Sequence, residues 1–179
     1  MSVNNDGLLV VSAVGPDRPG LVREISRAIH GAGANLEDSR MAILGGEFAL
    51  IVLVRGPLAA LQAIENQASE LGERLGLRIV TKPTSRGAER RDFLPYSLRV
   101  TGVDRPGIVQ SVAAILADHG VNVASLESRL AYAPLSGTPM FVLEAELQVP
   151  SELALSKLRR ELGAACEAEN LDFSLDGSG

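Results

Sequence analysis

Apolar residues in this chain alternate with polar ones over short runs, then recur at helical spacing, and the whole order occurs twice. Leu8 to Val14 is a β-rich run bounded by Gly7 and Gly15-Pro16, which predicts a strand. Leu21, Val22, Ile25, Ala28 and Ile29 share one helix face, and Gly31 and Gly33 end that helix. A second strand is predicted over Ala34 to Leu44 and a turn at Gly45-Gly46. A third strand follows over Glu47 to Arg55. Pro57 starts a second helix carrying Leu58, Leu61, Ile64, Ala68, Leu71 and Leu75, closed by Gly76. Leu77 to Lys82 is a short fourth strand. After a stretch rich in Pro, Thr, Ser, Gly and charge, the order returns. A strand at Pro95 to Gly102 leads to a helix from Pro106 to His119 with Ile108, Val109, Val112, Ile115 and Leu116 inward. A strand at Val121 to Tyr132 then shows a slip in alternation between Val123 and Leu126 that marks a bulge. A loop at Ala133 to Thr138, a strand at Pro139 to Val149, a helix from Pro150 with Leu155, Leu158 and Leu162 inward, and a strand at Leu171 to Leu175 complete the second half.

Each half is a split βαβ unit. The expected fold class is α+β, with two ferredoxin-like βαββαβ domains, each a four-stranded antiparallel sheet with two helices on one face. The expected boundaries are 1–83, a linker over 84–93, and 94–179. Both halves hinge on one turn. Gly15-Pro16-Asp17-Arg18-Pro19-Gly20-Leu21-Val22 returns as Gly102-Val103-Asp104-Arg105-Pro106-Gly107-Ile108-Val109. Proline suits a first helical turn, where its missing N–H lacks a partner anyway, and Asp17 is placed to accept from free N–H groups there.

The halves differ on the sheet face turned from the helices. The first is predicted to show Val10, Ser12 and Val14 beside Ala49, Ile51 and Leu53. The second shows Ser97, Arg99 and Thr101 beside Val142, Glu144 and Glu146, with Arg99 paired to a glutamate of the neighbouring strand. An open apolar sheet face implies a cover, so the first domain's sheet is expected to pack on another subunit or domain, making the protein a homo-oligomer through that sheet.

Composition narrows the chemistry. The 179 residues are 46% hydrophobic and carry a formal charge of −5, with no basic run to suit phosphate backbones. Aromatics at 3% are too few for base-stacking platforms. One cysteine, Cys166, excludes an internal disulfide and a multi-cysteine zinc site. No apolar run is long enough to span a bilayer and no signal-peptide pattern opens the chain, so a cytoplasmic location is expected. His30 and His119 fall near helix ends, where a cation is mildly favoured, and do not occupy equivalent repeat positions. Cys166 lies among Ala164, Ala165 and Ala168, as a small buried residue would. No catalytic constellation, metal set or cofactor motif stands out, so the expectation is a protein that is not an enzyme and carries no cofactor.

The glycine turns are the remaining candidates. Gly20 and Gly107 stand at helix starts, where free N–H groups and the helix dipole attract an anion such as an amino-acid carboxylate. Asn35 and Asn122 open the second strands and can bind a ligand's ammonium or carboxylate. The plainer reading makes DRPG a strand-to-helix turn and each asparagine a turn residue.

These residues carry a resemblance. DRPG-[LI]-V, then G-x-N-[LV] about a dozen residues later in a βαββαβ frame, resembles the ACT domain, a small amino-acid-sensing module, over nearly the whole chain. Asp38-Ser-Arg-Met41 with Gly46-Glu-Phe48, and Ser136-Gly-Thr-Pro-Met-Phe141, resemble the tandem-ACT group of glycine cleavage system transcriptional repressors. The resemblance implies a regulator without a DNA-binding domain. It would sense a small amino acid, glycine favoured, at a domain–domain interface and act through a LysR-type activator. It also implies a ligand site at Asp17, Pro19, Gly20, Leu21 and Asn35, and at Asp104, Pro106, Gly107, Ile108 and Asn122. Two further readings stay open at this point: a free-standing regulatory subunit of an amino-acid biosynthetic enzyme, and an acylphosphatase-like hydrolase using Arg18 or Arg105. An RNA-binding module lacks the aromatics it needs.

Overall fold

The computed structural model describes residues 6–86, 92–132 and 137–177. The chain divides into two compact units, Met1–Ala88 and Glu89–Gly179. In the first, β1 (Asp6–Pro16), α1 (Leu21–Gly31), β2 (Asn35–Leu44), β3 (Glu47–Pro57), α2 (Leu58–Leu75) and β4 (Arg78–Thr84) follow in order. In the second, β5 (Phe93–Val103), α3 (Ile108–Asp118), β6 (Asn122–Tyr132), β7 (Pro139–Pro150), α4 (Leu155–Ala168) and β8 (Leu171–Gly177) repeat it. The sheets are antiparallel, ordered β2-β3-β1-β4 and β6-β7-β5-β8. The α+β expectation of two βαββαβ sheets with helices holds.

Period-2 burial builds each core. Leu9, Val11 and Ala13 of β1 and Phe48, Leu50, Val52 and Val54 of β3 turn inward against Leu21, Ile25 and Ile29 of α1 and Leu61, Ile64 and Leu75 of α2. Leu98 and Val100, with Leu143 and Leu147, meet Ile108, Val112 and Leu116 of α3 and Leu158 and Leu162 of α4 in the second unit. Gly15 is needed because β1 runs hard against the α2–β4 turn: a Cβ there would stand 2.6 Å from the Gly76 carbonyl oxygen.

Some elements differ from the pattern. β1 begins at Asp6, ahead of the expected Leu8, and β4 runs on to Thr84, so Pro83, opposite Leu9, is a strand residue. α4 starts at Leu155, not Pro150; Ser151 to Leu153 first turn on a Leu153 N–H donated to the Pro150 carbonyl at 3.0 Å. Val22, Val109 and Leu58, apolar positions in the first turns of their helices, are exposed. The bulge expected near Val123 is present between Val123 and Ser125, and β2 carries one at the same repeat position between Leu36 and Asp38. The second strands therefore share one register. The loop expected at Ala133 to Thr138 lies largely outside the described residues.

Candidate functional site

The turn after the first strand is built alike in both units. The Asp17 N–H donates to the Gly46 carbonyl at 2.9 Å, and the Asp104 N–H to the Pro139 carbonyl at 3.3 Å, pinning the strand end to the β2–β3 turn in the first unit and to the start of β7 in the second. Three residues on, Gly20 and Gly107 take left-handed conformations at φ 95° and 101° as N-caps. Nothing lies within 4 Å of a Cβ placed on either, so glycine serves the backbone angle rather than a close packing contact. Their carbonyls accept the first helical bonds, from Glu24 N–H at 3.0 Å and Ser111 N–H at 2.9 Å.

No side chain caps either helix. The aspartate cap expected of Asp17 is thus absent, because the cap position falls to Gly20, three residues downstream. Pro19 likewise precedes the helix rather than opening it. The first-turn N–H groups at Leu21 to Arg23 and Ile108 to Gln110 have no helical partner and sit beside exposed Pro19, Gly20, Pro106 and Gly107. Leu21 and Ile108 anchor these turns in the cores. Arg18 is held in place: its Nη2 donates to the Leu75 carbonyl at 3.3 Å, closing the end of α2.

The two turns differ in where their acid comes from. α1 has Glu24 in its first turn, near Arg27 and Arg74 at 3.3 and 3.5 Å. α3 has Ser111 at that repeat position, its hydroxyl donating to Glu169 at 3.1 Å, and no acid in its first turn. A carboxylate thus stands at both first turns, Glu24 of α1 itself and Glu169 held on Ser111 of α3.

The asparagines lie at the other end of each sheet. Pro16 stands opposite Glu47, while Asn35 stands opposite Arg55. That length of β3 corresponds to roughly 25 Å at the usual strand rise. Val103 opposite Met140 and Asn122 opposite Gln148 repeat the separation. Within one unit, therefore, Asp17, Pro19, Gly20 and Leu21 are not brought to Asn35, nor Asp104, Pro106, Gly107 and Ile108 to Asn122.

Asn35 lines a hollow of its own with Asp6, His30 and Arg55, beside the backbone of Gly33 and Gly56. The Arg55 Nε lies 3.5 Å from Asp6 Oδ2 there. Asn122 donates its amide to Gln148 Oε1 at 2.8 Å across the strands. His30 stands in the last turn of α1 as expected, while Arg55 and Gln148 reach the asparagines through strand pairing, which spacing along the sequence does not show. His119 stands at the helix end expected of it, as the C-cap of α3, but turned inward. Its side chain is almost wholly buried, with Nδ1 at 2.9 Å from the Ile115 carbonyl and Nε2 at 3.4 Å from Glu161 Oε2. Cys166 is buried, and burial, then Glu169 and Asp172, push its thiol pKa up, away from a nucleophile's range. Among the described residues no group of three His, Cys, Asp or Glu could hold a metal, and no helix is long and apolar enough to cross a membrane.

Comparison with known proteins agrees with this fold. Residues 7–82 and residues 96–163 each match the ACT domain family. The chain is 32% identical over 178 residues to the glycine cleavage system transcriptional repressor of Escherichia coli (strain K12), covering 98% of this chain and 93% of that one. Among solved structures, an unknown protein from Galdieria sulphuraria superposes with a TM-score of 0.82 at 34% identity, over 97% of this chain and 99% of that one. A second, provisionally assigned as a glycine cleavage system transcriptional repressor, gives 0.71 at 29% identity over 96% of each chain.

Proposed function

The chain belongs to the tandem-ACT family of the glycine cleavage system transcriptional repressors, and on that premise we propose that it is a non-enzymatic regulator that senses a small amino acid, with glycine favoured. The carrying observation is the pair of uncapped helix starts behind left-handed Gly20 and Gly107. The ligand's carboxylate is assigned to those first-turn N–H groups. Its ammonium is assigned to the amide of Asn35 or Asn122 on a different ACT domain, since turn and asparagine stand at opposite ends of the same sheet. The ligand changes how the protein contacts a LysR-type activator, a coupling that needs only about 1–3 kcal/mol. The charge of −5 suits a protein partner better than direct contact with nucleic acid.

Calorimetric titration tests this reading with glycine, then serine, alanine and the branched amino acids. Saturable heat for one of them is expected, weakened about tenfold or more by Asn35→Ala or Asn122→Ala as a charged group loses its hydrogen bond. No heat for any of them refutes the sensor. Capture of a biosynthetic enzyme in place of a LysR-type protein refutes the assigned partner.

A further inference from the structure

We propose that the outer face of the first sheet is the contact surface of a two-fold dimer, closed by the same face of a second copy. The register lays this face out in three rows across β2, β3, β1 and β4. They read Ala42, Ala49, Val14, Arg78; then Arg40, Ile51, Ser12, Val80; then Asp38, Leu53, Val10, Lys82. The centre is apolar apart from Ser12, and Val14, Ile51 and Val80 are 50%, 49% and 53% exposed. The second unit's equivalent face is charged, with Glu144 Oε1 at 2.8 Å from Arg99 Nη1 and Glu144 Oε2 at 3.8 Å from Arg129 Nη1.

The rows select the occupant. Take a two-fold axis that runs along the strands between β3 and β1. It places β3 on β1 of the second copy and β2 on β4, in the near-aligned packing that sheets adopt. Bulky Ile51 then meets Ser12, small Ala49 meets Val14, and Leu53 meets Val10. At the rim Asp38 faces Lys82 of the second copy, twice by symmetry. Arg40 is held by its own Asp38 at 2.7 Å, and in this arrangement its stem lies over Val80 of the second copy. An axis across the strands would instead set Arg78 against Lys82. The face is thus complementary to itself in one orientation, which an isologous contact requires. Its four strands and three rows span roughly 20 by 20 Å. That footprint of about 400 Å² per partner places the contact at the small, concentration-dependent end of the interface range.

Sedimentation equilibrium of the full chain, across concentrations reaching roughly 100 μM, reads the dimer constant. A concentration-dependent dimer is expected. Ile51→Arg should weaken it about a hundredfold or more by burying an unpaired charge at the centre. Circular dichroism shows whether that variant keeps its fold, as its half-exposed position predicts. Lys82→Glu alone should weaken the dimer about tenfold, and the double change Asp38→Lys with Lys82→Glu should restore it to within about threefold. A wild-type chain that stays monomeric overturns the proposal and leaves the face to a different protein. A dimer untouched by Ile51→Arg overturns it in favour of another surface. Failure of the double change to restore the dimer overturns the assigned orientation. Ligand binding is measured separately, so none of these outcomes depends on the amino-acid site.

Discussion

Two glycines five residues apart do different work, and one methyl group separates them. Gly15 has no room: an added Cβ would meet the Gly76 oxygen at 2.6 Å, Leu77 Cδ2 at 2.9 Å and Leu77 Cα at 3.2 Å. Two of those three atoms are backbone, so Gly15→Ala forces β1 away from the α2–β4 turn. Overpacking of that kind costs about 2–3 kcal/mol. Gly20 has room but a φ of 95°, so Gly20→Ala carries only the left-handed penalty of about 1–2 kcal/mol. Its cost should appear in ligand binding, where the new methyl intrudes beside the first-turn N–H groups.

Urea denaturation separates the units. The chain has no Trp, and both tyrosines, Tyr96 and Tyr132, belong to the second unit, so tyrosine fluorescence reports that unit while far-ultraviolet dichroism reports both. Gly15→Ala should lower the dichroism transition and leave the tyrosine transition in place. Gly102→Ala, where the Cβ would strike Leu171, should lower the tyrosine transition. If Gly20→Ala destabilises as much as Gly15→Ala, or if Gly15→Ala shifts neither transition, the steric reasoning fails.

Two further predictions follow from the second unit. Cys166 should resist iodoacetamide in the native chain and react on unfolding, because its raised pKa keeps it a buried thiol. Since the folded pKa is the higher one, Cys166 contributes stability below the unfolded thiol pKa that is lost as pH rises through the folded value. Cys166→Ala should flatten that alkaline loss in urea midpoints. Glu144→Gln, removing the carboxylate near Arg99 and Arg129, should cost under about 1 kcal/mol and nothing measurable in high salt, since all three groups are exposed. A salt-independent loss of several kcal/mol would contradict the exposed placement of the pair.

The hydrophobic pattern by itself determined element order, the doubling of the fold, the inward face of each strand and the contrast between the two outer faces. Each rests on a period of 2.0 or 3.6 that a side chain's neighbours in sequence already express. The turn glycines were legible too, since a left-handed N-cap selects glycine locally. Tertiary structure decided the rest, because pairing across strands joins residues that spacing does not relate. It gave the cap to Gly20 instead of Asp17, left Val22, Val109 and Leu58 exposed in their first turns, and carried β4 through Pro83. It buried His119 against Glu161 and put His30 and Arg55 around Asn35. It also set each asparagine at the far end of the sheet from its own glycine turn, because α1 and α3 carry the chain back along the sheet before the second strand begins.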